Sequence, residues 1–379
     1  MMFNSINNLL QFLFILQLAY RAFGAIDFTQ PGPYSFKTIT ELTIVTPQDA
    51  QSLPTNEYKA TVRIPDFVNS PPAGLILWSN GFMSRASNYK AILDQAASWG
   101  FASAAYDLPF SAANLSLKAE LDYIFPAFIS QIINSTFNTT TTLPLFSVGY
   151  SRGGKVAASI YANPNNTIQA CYLIDPVDIT PFSPDSPSNP SAVAALALHP
   201  STPFPLPLGM TAAGITGSCN PSIGNYQTFW NVAGPSSWLG VLLGIAHTAF
   251  VDGGGDNALA DAFCGGGSGK DTGQVAQLTY VPMLNWLTRS NLLLLESDSG
   301  SDGGTAVKEQ DEEFGNWVDE QVDQGNMVFE IKEEEDPSRL VPSSLSPPIT
   351  PTSAALHHYC HHHSFAAVSV VISLVCLLL

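Results

Sequence analysis

The chain has 379 residues, 45% of them hydrophobic, enough for one large α/β domain or two small ones. Its net charge of −17 is lopsided: residues 296–336 hold 15 of the 31 acidic residues against two lysines, a local −13 that leaves −4 for the rest. The acidity therefore belongs to a segment and not to the fold, and the absence of any basic patch argues against nucleic acid as a partner.

Residues 9–19, LLQFLFILQLA, form a short apolar run followed by small residues at Ala22 and Gly24, and residues 1–24 read as a secretory signal peptide. ELTIVT (41–46) and YKATVRIP (58–65) are rich in β-branched residues and predict strands. AGLILWSNGF (73–82) is a continuous apolar run, as expected of a strand buried on both faces. Helical spacing follows in 88–99, where Tyr89, Ile92, Leu93, Ala96 and Ala97 share a face until Gly100 stops it. FASAAYD (101–107) predicts another strand, and 117–133 a helix kinked by Pro126.

The alternation continues with a strand at 143–150, a helix at 153–163 and a strand at 168–175. Strand and helix in turn at this pitch predict an α/β class with a mostly parallel central sheet and helices on both faces. The proline-rich 181–209 reads as a long loop over the sheet's end. PLPLGMTAAG and WLGVLLGIA supply two further strands, and 275–289 a closing helix in spite of Pro282. From 296 the composition turns to Ser, Gly, Asp and Glu, then Pro and Ser, and 296–352 reads as a disordered stalk. Within it NMVFEI (326–331) has the composition of a strand.

At the C-terminus, SFAAVSVVISLVCLLL (364–379) is an apolar stretch of about 16 residues, preceded by Ser353-Ala354-Ala355 and a polar spacer. Residues 353–379 match a signal for glycosylphosphatidylinositol attachment, with a retained tail anchor as the alternative. Either way the expected partner is a membrane, reached through the C-terminal anchor. Sequons at Asn114, Asn134, Asn138 and Asn165 agree with passage through the secretory pathway to the cell surface. Removal of the tail leaves Cys171, Cys219 and Cys264, enough for one disulfide and one thiol. Cys219 with Cys264 is the expected pair, a choice the sequence does not itself compel. The histidines of 357–363 lie in the spacer and are not read as a metal site.

The stretch that carries chemistry is FSVGYSRGGKVA (146–157). A strand ends in Gly149-Tyr150-Ser151-Arg152-Gly153 and a helix begins, the setting of a G-x-S-x-G nucleophile elbow. The tight turn needs small neighbours and lifts the Ser151 hydroxyl to a helix N-terminus, where negative charge is favoured. A serine needs a base. Before residue 357 the chain has two histidines, and His247, after the last apolar strand, fits the order Ser, acid, His better than His199 in the proline-rich stretch. Asp175, directly after a strand, is the expected acid, with Asp178 three residues on as the alternative. An oxyanion hole needs two backbone donors: Arg152 N–H, and Phe82 N–H or Met83 N–H from the loop after LILWSNGF. No metal or cofactor is required by such a site.

These residues resemble the chlorophyllase family of the α/β-hydrolase superfamily. GYSRGGK is similar to the family's G-H-S-R-G-G, with Tyr150 in place of His; LIDPVD is similar to its I-D-P-V segment. WSNGF resembles its H-G-F loop with Asn80 in place of His, and GIAHTAFVD and SCNPSIGNYQTFW resemble its histidine- and cysteine-containing segments. The resemblance covers about residues 55–291 and implies an α/β-hydrolase fold for 27–295. It also implies Ser151, Asp175 and His247 as a triad and an apolar ester substrate such as chlorophyll, cleaved to chlorophyllide and phytol. Met83, Tyr150, Phe229 and Trp230 are the candidates to border a pocket for the large apolar group. Related lipid- or polyester-type esterases share the elbow. A non-catalytic surface binding protein and a plastid location remain the alternatives for function and place.

Overall fold

The computed structural model describes residues 26–47, 53–66, 72–109, 115–137, 143–199, 205–252, 264, 270–299 and 304–333. Every residue of β3 (Gly74–Ser79) is buried, and its side chains alternate: Leu75 and Leu77 enter one apolar cluster, Ile76 and Trp78 another. A strand buried on both faces needs a layer on each side. The sheet also contains β1 (Phe36–Val45), β2 (Glu57–Pro65), β4 (Phe101–Asp107), β5 (Leu145–Tyr150), β6 (Ile168–Ile174), β7 (Gly209–Ala213), β8 (Trp238–Leu242) and β9 (Met327–Ile331). Its order is β1-β2-β4-β3-β5-β6-β7-β8-β9. The six strands from β4 to β8 run parallel, while β1, β2 and β9 join antiparallel at the edges. The expected α/β class with a mostly parallel sheet is what the chain forms.

One face is covered by α1 (Lys90–Ser98) and α6 (Thr272–Ser299), which bury Ile92, Leu93, Val275, Leu284 and Leu287 with Ile76, Val148 and Ile174. The other face takes α2 (Phe125–Thr136), α3 (Arg152–Tyr161), α4 (Ala192–Ala197) and α5 (Tyr226–Val232). Phe128, Ile132, Val156 and Ile160 meet Leu75 and Leu77 there. Each such side chain, fully buried, contributes about 1.5–3 kcal/mol.

The predicted Pro126 kink takes a specific form. The chain enters α2 through a short helical turn, Leu117–Ala119, and a π-helical turn, Glu120–Ile124. Proline donates no hydrogen bond and its ring crowds the preceding turn, so the ladder is broken on its N-terminal side. The widened turn carries Glu120 inward, where it is 2% exposed.

Two expectations are corrected. The loop over 181–209 contains α4, started by Ser191, whose hydroxyl accepts the Ala194 N–H. Residues 304–331, read as stalk, instead form α7 (Gly304–Asp323) and β9, which pairs with β8 from Trp238↔Ile331 to Leu242↔Met327. The acidic residues hide an apolar stripe: Val307, Phe314 and Val318 are buried, and Phe314 stacks on Trp238 with ring centroids 4.7 Å apart. The signal peptide, the remainder of the stalk from 334, the anchor signal and sequons Asn114 and Asn138 lie outside the described residues. Among the described residues no helix is long and apolar enough to cross a membrane.

Candidate active site

At the end of β5 the backbone of Ser151 takes φ +56° and ψ −123°, and α3 begins at the next residue. This turn accounts for the flanking glycines. A Cβ on Gly149 would meet the Gly153 carbonyl oxygen at 2.1 Å, and one on Gly153 would meet the Ser79 oxygen at 1.9 Å. The elbow is anchored to the next strand by Ser151 N–H donating to the Ile174 carbonyl at 3.0 Å.

Asp175 follows β6 with no side-chain exposure and φ +38°. Its Oδ1 accepts the Ala213 N–H at 3.0 Å; its Oδ2 accepts from the Asn220 amide at 3.1 Å and lies 2.5 Å from His247 Nδ1. A buried carboxylate accepts only, so Nδ1 carries the proton and Nε2 is left as acceptor. Ser151 Oγ is 2.8 Å from that Nε2. The three groups named from sequence thus form one continuous hydrogen-bonded chain across three strand ends. His247, and not His199, is the histidine that reaches the serine.

His247 opens a 3₁₀ turn, His247–Phe250, and is held from behind. The Tyr150 hydroxyl donates to its carbonyl at 2.6 Å and the Tyr150 ring stacks on the imidazole, centroids 5.0 Å apart at 28°. Burial pushes the Tyr150 phenol well above its ordinary range, so it remains a neutral donor.

The two expected oxyanion donors occupy suitable backbone. Arg152 is the first helical residue of α3, where an N–H has no intrahelical acceptor. Phe82 sits in a turn closed by Ser84 N–H to the Gly81 carbonyl, with Met83 at φ +58°. Tyr89 fixes this turn by accepting the Gly81 N–H at 3.0 Å. Phe82 and Met83 are exposed and line a cleft of about 70 Å³ with Asn80, Tyr106, Glu120 and Arg152 among its walls. Burial opposes the charge on Arg152, but Glu120 outweighs it: Arg152 Nη2 donates to Glu120 Oε2 and Tyr106 to Oε1, both at 2.5 Å.

Three pocket candidates are corrected. Phe229 is fully buried with Cys171, Leu173 and Met210, because its position on α5 faces the sheet. Trp230 packs against the same cluster and carries Lys332 Nζ over its ring at 5.6 Å. Tyr150 lies buried beneath His247. Of the four candidates, Met83 alone lines the cleft. Asp178 is no part of the triad: it accepts from Ser191 Oγ and Ala192 N–H at the start of α4 and lies 3.6 Å from Lys155 Nζ. Asn220, Glu120 and Tyr89, which support the site, carry no recognisable motif in the sequence. Asn220 left one signal, its place beside Cys219, which forms the expected disulfide with Cys264.

No protein-family model and no curated protein matches the chain. Solved structures match in shape. A ferulic acid esterase from Streptomyces cinnamoneus is 14% identical, with a TM-score of 0.48 over 69% of this chain and 90% of that one. A protein assigned as a dienelactone hydrolase from Klebsiella pneumoniae is 13% identical, with a TM-score of 0.46 over 67% and 99%. The chain's own topology decides the fold: strand order β1-β2-β4-β3-β5-β6-β7-β8, with the elbow after β5, the acid after β6 and the histidine after β8. This is the α/β-hydrolase fold.

Proposed function

We propose that the protein is a serine carboxylic-ester hydrolase acting through an acyl-serine intermediate. The observation that carries this is the unbroken chain from Asp175 Oδ2 through His247 to Ser151 Oγ, at 2.5 and 2.8 Å, with the hydroxyl at a helix N-terminus. Ser151 Oγ attacks the ester carbonyl carbon and its proton passes to His247 Nε2. The carbonyl oxygen, now anionic, is received by the Arg152 and Phe82 N–H groups. Collapse breaks the bond to the alcohol oxygen, which takes the proton from Nε2. Water then repeats the sequence on the acyl-serine and releases the acid. Asp175 holds the imidazole tautomer and balances the transient imidazolium.

Within ester hydrolases the reading is chlorophyllase-like, supported by the GYSRGGK and LIDPVD motifs and by the exposed Phe82 and Met83 at the cleft. Its setting is the secretory pathway with a surface anchor, supported by the apolar ends and the exposed sequon residues Asn134 and Asn165. Release from intact cells by a phosphatidylinositol-specific phospholipase tests the setting, and plastid co-localisation of an uncleaved C-terminus overturns it.

The test of function is a fluorophosphonate probe followed by three substrates: chlorophyll a, a short nitrophenyl ester and a polyester film. Labelling lost in Ser151→Ala, with rapid release of chlorophyllide, supports the full reading. Turnover of the short ester alone reduces it to a carboxylesterase, and turnover of the film favours the polyester type. No labelling and no turnover leaves a binding protein.

A further inference from the structure

We propose that Asn220 is a positioning residue for the acid of the triad, holding the plane of the Asp175 carboxylate against His247; this rests on the ester-hydrolase reading above. Asp175 is fully buried, so no solvent replaces a missing donor. Its two oxygens are fixed from two sides, Oδ1 by the Ala213 N–H and Oδ2 by Asn220 Nδ2. Without Asn220 only the Ala213 N–H would hold the carboxylate independently of the imidazole, and Oδ2 would follow any movement of the His247 ring. Two donors outside the ring, one on each oxygen, fix the carboxylate plane whatever the imidazole does.

Asn220 can do this because its own amide has one orientation. Its Oδ1 accepts the Gly217 N–H at 2.8 Å and its Nδ2 also donates to the Ile215 carbonyl at 3.2 Å. A backbone N–H only donates and a carbonyl only accepts, so a flipped amide would lose both bonds and face Asp175 with an oxygen. Asn220 has no exposure.

The segment carrying it is tied to the segment carrying the histidine. Gly214 N–H donates to the Leu242 carbonyl at 2.9 Å and Ile215 N–H to the Ile245 carbonyl at 3.0 Å, two residues before His247. Cys219, the neighbour of Asn220, is bonded to Cys264. The acid and the base are thus registered through one amide as well as through their direct bond.

The experiment compares wild type with Asn220→Ala and with Asn220→Leu, which keeps the branched shape and removes every hydrogen bond. Thermal unfolding and near-ultraviolet circular dichroism select folded variants. On a nitrophenyl ester, kcat should fall about 10- to 100-fold, the size expected for one lost bond to a charged group, with KM within about twofold. A second readout needs no turnover: the downfield proton resonance of His247 Nδ1–H, identified by its absence in His247→Ala, should shift or exchange out in both variants. A folded variant with wild-type kcat and an unmoved resonance overturns the proposal. If wild type neither turns over ester nor labels, while the resonance still moves in the variants, the ester-hydrolase reading fails and the positioning role stands.

Discussion

The Tyr150 hydroxyl donates to the His247 carbonyl at 2.6 Å while its ring stacks on the imidazole, so one residue holds both backbone and ring of the histidine. Tyr150 is also the residue just before the nucleophile, which couples the elbow to the loop after β8. Tyr150→Phe keeps the stack and leaves the buried carbonyl without its donor, at a cost of about 1–3 kcal/mol. The expected result is a kcat reduced about 3- to 30-fold with KM little changed, read from steady-state ester hydrolysis. Unaltered kcat would show that the ring alone suffices.

Ser151→Ala and His247→Ala should each lower kcat by about three to six orders of magnitude. Asp178→Asn separates the roles of the two neighbouring acids. Burial lowers the Lys155 ammonium and Asp178 opposes that, so loss of the carboxylate leaves a buried cation poorly compensated, at about 3–5 kcal/mol. Its kcat should stay within about threefold of wild type while the unfolding midpoint drops by several degrees. An inactive but fully stable Asp178→Asn would move the acid's role away from Asp175.

The strand and helix rhythm was legible because runs such as Leu75–Trp78 are apolar on both faces, and such a run admits few other environments. The triad was legible because the elbow is a local pattern and only two histidines precede residue 357. Asn220 was not, because its role depends on the register between two loops, which no local pattern encodes. The α5 aromatics misled for a related reason: a helix of seven residues gives too little period to say which ring faces the sheet. The acidic segment misled through averaging. Its mean composition is that of a solvated chain, yet Val307, Phe314 and Val318 recur at helical spacing and are buried, and Phe314 stacks on Trp238.

Cys171 is buried in β6, and burial pushes its thiol from 9.0 up to about 12. Its folded value lies above its unfolded one, so the linked stability is intact below pH 9 and is lost as pH rises from there towards about 12. At pH 8 the thiol is protonated and inaccessible, and iodoacetamide should leave the Cys171 peptide unmodified until denaturant is added. Modification of that peptide in native protein, found by mass mapping, contradicts the burial.

The strongest departure from the sequence reading is that the acidic segment completes the sheet, and deletion tests it. Ending the chain at residue 303 removes α7 and β9, and with them the buried Val307, Phe314, Val318 and Met327. It also removes the Arg289–Asp311 ion pair at 3.2 Å and uncovers Trp238, on whose ring Phe314 stacks. At about 1.5–3 kcal/mol for each of four buried apolar side chains, the loss is about 6–12 kcal/mol, an upper figure because unfolded chains already bury some surface. Domains of this kind are stable by about 5–15 kcal/mol in all, so most of that margin is at stake. Beyond the energy, β8 would become an edge strand with unpaired backbone groups, which invites association between chains. The reference is a chain ending at residue 334, which keeps both elements. The 303-residue chain is expected to aggregate or to unfold well below the reference, by differential scanning fluorimetry and size-exclusion chromatography. Were it as stable and as active as the reference, residues 304–331 would be the dispensable stalk that their charge suggests.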